Sequence, residues 1–214
     1  MSLKRISFHD RASWLAGRSE RGIGASDAAA ICGMSPWTTK NELWELKVGK
    51  RTSRDISGNA EVQRGVNMEG AIRDFFSSLH PEFQVTHHPY DILFQEERPW
   101  MFATLDGELE DEQGRHGILE IKTASPNGKN GWDEWRDKVP QHYYIQILWQ
   151  FLATGYDFAV LQAVLWSRDG DITLRSFTFE RSDRKEDMEW LLWQAEEFWH
   201  DVRTNKRPGA AIVF

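Results

Sequence analysis

Cysteine is almost absent from this chain: Cys32 is the only one in 214 residues. That excludes an internal disulfide framework and any metal centre built on several thiolates. Cys32 lies in the apolar run 28–32 and reads as a small buried residue. Apolar runs of spanning length are missing too, and the first residues lack a signal-peptide pattern. The expectation is a soluble, cytoplasmic protein without a membrane partner. Repeats and linker-like stretches are also lacking, so 1–214 reads as one domain, long enough to bury a good core. Positive charge is not in excess: 26 basic residues against 33 acidic ones leave a formal net charge of −7. This argues against a general nucleic-acid coat but not against a local basic groove, because distribution matters more than the sum. Tryptophan, in contrast, is plentiful at eleven residues. Most of these are expected in a core or a subunit interface, and Trp190, Trp193 and Trp199 share one late segment.

Turn and cap signals divide the chain. A short helix is predicted over 26–32, capped by Ser26 or Asp27 and followed by Gly33. Further helices are expected over 39–47, 64–79, 140–154 and 183–204. Strands are expected near 83–87, 91–95, 101–110, 116–124, 158–166 and 172–180, with a loop at 125–131. Helices, a mainly antiparallel meander, then a helix crossing to more strands imply an α/β fold with a mixed sheet flanked by helices.

The most informative segment is Leu119-Glu120-Ile121-Lys122. Side chains alternate along a strand, so Glu120 and Lys122 share one face and Leu119 and Ile121 the other. Asp106 precedes Glu120 by fourteen residues, and Glu112-Gln113-Gly114-Arg115 between them has turn chemistry. A symmetric hairpin would set Asp106 opposite Glu120, with Cβ atoms roughly 5 Å apart. Two like charges so placed repel unless a cation lies between them, and a hard divalent ion with oxygen ligands suits the pair. Lys122 could then contact a phosphate or act on the attacking water. A surface hairpin with a cross-strand ion pair is the plain alternative.

Three other places carry chemistry. Glu69 sits among apolar Ile72 and Phe76 on one helix face, either at a site or at a snorkelling edge. Tyr143, Gln146 and Gln150 make a polar stripe on a helix apolar almost all round, so the glutamines either line a cleft or knit to a neighbouring strand. The run from Arg18 to Asp27 puts Arg18, Arg21 and Ser26 close before a helix N-terminus, where anions such as phosphate are favoured.

These segments occur in an order that resembles the YqaJ-like viral recombinase family, the group of the phage lambda exonuclease. The resemblance runs over roughly 14–155. It is carried by Trp14-x-x-x-Arg18, Gly22-Ile23-Gly24-Ala25-Ser26-Asp27-Ala28-Ala29-Ala30-Ile31, Ser35-Pro36-Trp37 and Leu43-Trp44-x-x-Lys47-x-Gly49. It continues in Gly65-x-x-x-Glu69, Leu105-Asp106-Gly107, Leu119-Glu120-Ile121-Lys122 and Tyr144-x-Gln146-x-x-x-Gln150. It implies a restriction-endonuclease-like PD-(D/E)xK core and a Mg²⁺-dependent 5′→3′ exonuclease, with Mn²⁺ able to substitute. Such an enzyme digests one strand of linear double-stranded DNA to 5′-mononucleotides. The 3′ strand is left for a single-strand annealing protein. A toroidal trimer and a phage or prophage origin are implied as well.

By motif position, Asp106 and Glu120 are the implied metal ligands, with the Ile121 carbonyl. Lys122 is the implied catalytic lysine, Glu69 an accessory acid and Gln146 a helper, with Gln150 beside it. Ser26 with Arg18, or else Arg21, is the implied pocket for the 5′-phosphate, and Val62 an apolar wedge at the duplex end. Arg64, Arg73, Lys129 and Arg136 are candidates for a basic channel lining. Leu105 departs from the proline of the family signature, and Leu148 stands where a glutamine is common. Another nuclease of this fold, in DNA repair or CRISPR systems, and a non-catalytic DNA-binding module are the alternatives.

Overall fold

The computed structural model describes residues 2–52 and 58–209. Its first half runs β1 (Leu3–Ser7), α1 (Arg11–Arg21), β2 (Ile23–Gly24), a 3-10 turn (Ala25–Asp27), α2 (Ala28–Ile31), α3 (Lys40–Lys47) and α4 (Ala60–Leu79). Then come β3 (Phe83–Thr86), β4 (Asp91–Gln95), β5 (Met101–Ala103), β6 (Gly107–Asp111) and β7 (His116–Ala124). The remainder is α5 (Gly128–Asp133), α6 (Gln141–Thr154), β8 (Phe158–Trp166), β9 (Ile172–Glu180), a second 3-10 turn and α7 (Lys185–Arg203). The strands form two sheets, in the orders β1-β4-β5-β2 and β3-β6-β7-β8-β9. The α/β class with mixed sheets flanked by helices is as the sequence implied.

The larger sheet turns on β7. It pairs antiparallel with β6 and parallel with β8, and a parallel partner requires a crossover, which α6 supplies. Strand β8 is apolar and buried almost throughout, as befits a central strand covered on both faces. On one side of β7, Leu119 and Ile121 pack with Ile72 and Phe76 of α4. On the other, Ile118 joins the main core, whose centre is α6 with Ile145, Ile147, Leu148, Trp149 and Phe151. Glu120 and Lys122 therefore face α6 rather than open water.

Local chemistry sets the ends of these elements. Thr39 and Glu42 form a reciprocal capping box at α3, with the Glu42 amide donating to Thr39 Oγ1 at 3.2 Å. Asn59 caps α4 by accepting from the amides of Glu61 and Val62. Gly155 ends α6 in the left-handed region at φ 76°. Gly22, at φ 146°, lets β2 come down beside β5: a Cβ there would stand 2.4 Å from the Trp100 carbonyl oxygen. The smaller sheet is tied to α6 by Trp149 Nε1, which donates to the Phe102 carbonyl at 3.0 Å. Arg5 links the two sheets, reaching Asp91 at 2.7 Å and Glu108 at 2.8 Å.

Several expectations change. The strand predicted over 101–110 is two strands in different sheets, broken at 104–106, so Asp106 stands at the step between them. The loop predicted over 125–131 contains the first four of the six residues of α5, and α4 starts four residues before the expected 64. The predicted helix at 26–32 divides into the 3-10 turn and the short α2. Elements β1 and α1 were not expected. Helix α1 has no fully buried residue, and β1 only half-buries two. Trp199 stacks on Trp100 with centroids 5.4 Å apart, whereas Trp190 and Trp193 are exposed at 42% and 58%.

Candidate active site

The hairpin register is the one inferred from the sequence. Gly107 lies opposite Leu119 in the β6–β7 ladder, so Asp106, one residue further, stands opposite Glu120. It does so just beyond the last paired residue. In place of a backbone partner, the Asp106 carboxylate accepts the Ile121 amide at 2.7 Å. A strand residue turns its N–H and C=O to the same neighbour. The Ile121 carbonyl is thus aimed at the gap that β6 leaves beside Asp106.

Glu120 is 2% exposed, and a carboxylate so deep must be fully bonded. Gln146 donates to Oε1 at 2.7 Å, Gln150 donates to Oε2 at 2.5 Å, and Lys122 Nζ lies 2.6 Å from Oε1. The glutamine stripe of α6 therefore knits to the neighbouring strand and holds its acid. Lys122 also lies 4.9 Å from the centre of the Tyr143 ring. Burial works against the Lys122 ammonium, but Glu120 and Asp106 outweigh it and hold its pKa above the ordinary lysine value. Asp106 moves the other way for an acid: burial, then the charges of Glu120 and Glu69, push its pKa well up, against the pull of Lys122 and the Ile121 amide.

Glu69 borders this group from α4. It pairs with Arg73 one turn on, at 3.3 Å, and Arg73 also donates to the Asp106 carbonyl. Arg73, expected in a channel lining, is instead half-buried within the acid cluster. Among the described residues, no three His, Cys, Asp or Glu side chains gather into a ready-made metal site. The available donors are two carboxylates and a backbone carbonyl. All are hard oxygens, and two carboxylates set opposite each other with a carbonyl between them are a donor set that fits a divalent cation.

The structure separates the two candidate arginines. Arg18 threads between the rings of Trp14 and Phe102, at 4.7 and 5.7 Å. Its Nη1 donates to Thr104 Oγ1 at 2.8 Å, two residues before Asp106. Arg21 lies over Phe94 at 4.3 Å and reaches the Pro99 carbonyl. Ser26 is exposed on the 3-10 turn, and Gly24, two residues before it, brings the backbone against Arg18. Asp27, in the same turn, pairs with Lys47 of α3 at 2.8 Å. Val62 is 37% exposed near the start of α4, and Arg64 lies two residues after it. Lys129 is exposed on α5, and Arg136 pairs with Asp133.

Thr104 and the inward role of Arg73 escaped the sequence reading. An arginine aimed at a cleft needs an acceptor, and the only sequence signal for Thr104 was its place two residues before the acid.

Comparison with known proteins follows the same outline. The model of the YqaJ-like viral recombinase domain matches residues 13–157. The uncharacterized protein YqaJ of Bacillus subtilis (strain 168) is 26% identical over 206 residues, covering 93% of this chain and 58% of that protein. The chain thus spans under two thirds of the length of this curated relative. Among solved structures, the alkaline exonuclease LHK-Exo of Laribacter hongkongensis superposes with a TM-score of 0.70 at 19% identity, over 92% of this chain and 94% of that one. LHK-Exo in complex with dAMP gives a TM-score of 0.65 at 20% identity, over 92% and 97%.

Proposed function

The chain belongs to the YqaJ-like viral recombinase family, and on that premise we propose that it is a Mg²⁺-dependent 5′→3′ exonuclease acting on linear double-stranded DNA. The observation that carries the reading is the buried Glu120, gripped by Gln146, Gln150 and Lys122, with the Asp106 carboxyl set opposite it and held by the Ile121 amide. A structural ion pair needs no second acid pressed against it. A site for a cation and a phosphate does.

In this reading Asp106, Glu120 and the Ile121 carbonyl hold the metal. When bound, the ion polarises the scissile phosphate and lowers the pKa of water. The two glutamines fix the Glu120 oxygens, so the acid does not swing as charge changes around it. Lys122, paired with Glu120 at 2.6 Å, positions the nucleophilic water and offsets charge developing on the phosphate. Glu69 adds negative potential at the edge and is itself restrained by Arg73.

Arg18, the Thr104 hydroxyl and Ser26 form the proposed 5′-phosphate pocket. Arg18 is preorganised between two aromatic rings, with hydrogen-bonding capacity to spare after Thr104. Arg21, turned towards Phe94 and Pro99, has no part in it. Val62, exposed at the start of α4, suits a wedge at the duplex end. A ring of copies around the DNA and a single-strand annealing partner belong to the same proposal. Superposition on LHK-Exo, itself solved with dAMP, supports the fold on which this reading rests.

The test is digestion of linear duplex labelled on either strand, with 5′-phosphate or 5′-hydroxyl ends, in Mg²⁺. The 5′-phosphorylated strand shortens from its 5′ end, 5′-hydroxyl ends react much more slowly, and closed circular duplex stays intact. Cutting of the circle, or shortening from the 3′ end, contradicts the proposal.

A further inference from the structure

A cleft of about 570 Å³ opens beyond the ends of β7 and β8. Its lining includes Arg64 of α4, Ser125 and Asn127 after β7, and Trp166, Ser167 and Arg168 at the end of β8. None of these residues belongs to the reaction centre. Trp166 lies three residues past Ala163, the partner of Lys122 in the β7–β8 ladder, which is about 10 Å along a strand. Arg64 precedes Glu69 by five residues, about 7.5 Å along the helix. A DNA strand in the reaction centre would therefore reach the cleft about three base steps away, at 3.4 Å per step.

The chemistry of the lining is one-sided. It holds two guanidinium groups and no carboxylate, in a chain with 33 acidic residues against 26 basic ones. Among the described residues neither arginine is ion-paired. Arg64 lies over the Trp166 ring at 5.4 Å, and Arg168 donates to Asn127 Oδ1. Among the described residues Arg5, Arg51, Arg73, Arg98, Arg115 and Arg136 pair with carboxylates, whereas Arg18 and Arg21, like the two arginines of the cleft, have neutral partners. Two guanidinium groups facing one cleft, with no carboxylate partner among the described residues, favour an anion with several acceptor oxygens. Trp166, half-buried and packed by its body against the α4-side core, adds a ring suited to a base. The volume is of the size that holds a small ligand.

We propose that this cleft is a second nucleotide subsite, which holds one stretch of DNA backbone and a stacked base about three steps from the scissile phosphate. The inference rests on the nuclease reading above, and the experiment separates the two. Binding of a 5′-phosphorylated linear duplex to the full chain is measured in EDTA between 50 and 200 mM salt, for wild type and an Arg64→Gln/Arg168→Gln variant. Each lost phosphate contact removes about 0.9 from the slope of log K against log salt. The expected decrease is about 0.9 if the arginines share a phosphate and about 1.8 if they take two. Trp166→Leu weakens binding at least about fivefold, and Trp166→Phe by less. Arg51→Gln, which removes a paired arginine elsewhere, leaves the slope unchanged. Melting curves establish that each variant is folded. An unchanged slope in the double variant, or an equal loss in Arg51→Gln, overturns the subsite while wild-type digestion upholds the nuclease. A wild-type chain that neither binds nor digests the duplex overturns both.

Discussion

Asp106→Asn separates charge from shape at the candidate metal site. The asparagine oxygen can still accept the Ile121 amide, which Asp106 holds at 2.7 Å, while one negative charge disappears. Burial, Glu120 and Glu69 raise the folded pKa of Asp106 above its unfolded value, near 3.9. For an acid with a raised pKa, the unfolded state releases its proton first as pH rises. The contribution of this group is thus fully present below about pH 4 and is lost as pH climbs towards the folded pKa. The loss is up to about 1.4 kcal/mol per pH unit. In EDTA the wild-type protein pays this penalty and the variant does not. The variant therefore melts higher, by a gap that widens with pH, at about 2–4 °C per kcal/mol for a chain of this size. A divalent ion reverses the order. At a hundred times its Kd it adds about 2.7 kcal/mol to the wild type, roughly 5–10 °C, and little to the variant. Differential scanning fluorimetry from pH 4.5 to 8.5, in EDTA and in Mg²⁺, reads both effects without any substrate. A gap that does not grow with pH refutes the electrostatic reasoning. An equal Mg²⁺ shift in both proteins refutes the metal assignment.

Other predictions follow from single contacts. Gln150→Leu removes a donor to Glu120 and also an amide oxygen that is buried without a partner. Leaving an oxygen of the buried Glu120 without this donor should cost roughly 1–3 kcal/mol of stability and lower turnover roughly 10–100-fold; normal turnover in the folded variant contradicts this. Thr104→Val frees Arg18 from its acceptor and should shrink the rate preference for 5′-phosphate over 5′-hydroxyl ends by about 5–10-fold, which an unaltered preference rules out. Gly22→Ala places a Cβ against the Trp100 carbonyl at positive φ and should cost roughly 2–5 kcal/mol in denaturant titration. Burial pushes the Cys32 thiol up to about 12, with Lys40 pulling weakly the other way. At pH 8 only about one thiol in ten thousand is then ionised, so iodoacetamide should label the unfolded chain much faster than the folded one.

The candidate site was legible because it rests on two periodic features. Alternation along β7 put Glu120 and Lys122 on one face, and a short turn set Asp106 opposite Glu120; the Gly107–Leu119 pairing keeps that register. The helical spacing of Gln146 and Gln150 marked a polar stripe, although only the structure shows that both amides end on one carboxylate. The break at 104–106 was hidden because Met101–Ala103 and Gly107–Asp111 both read as strand. What divides them is a tertiary event, the Asp106 side chain taking the place of backbone pairing. Arg73 was misplaced for a related reason: its position one turn after Glu69 was visible, but its bond to the Asp106 carbonyl depends on how α4 lies over β7. The cleft arginines at 64 and 168 are 104 residues apart in sequence and meet only through the fold.

The central claim is that Asp106, Glu120 and Lys122 form a metal-dependent centre for phosphodiester hydrolysis. Its most direct test is the release of nucleotides from 5′-phosphorylated linear duplex by wild type in Mg²⁺, wild type in EDTA, and Lys122→Ala in Mg²⁺, each checked for an intact fold. Release by the first alone is the predicted result. Release at the wild-type rate in EDTA, or by Lys122→Ala, contradicts the account.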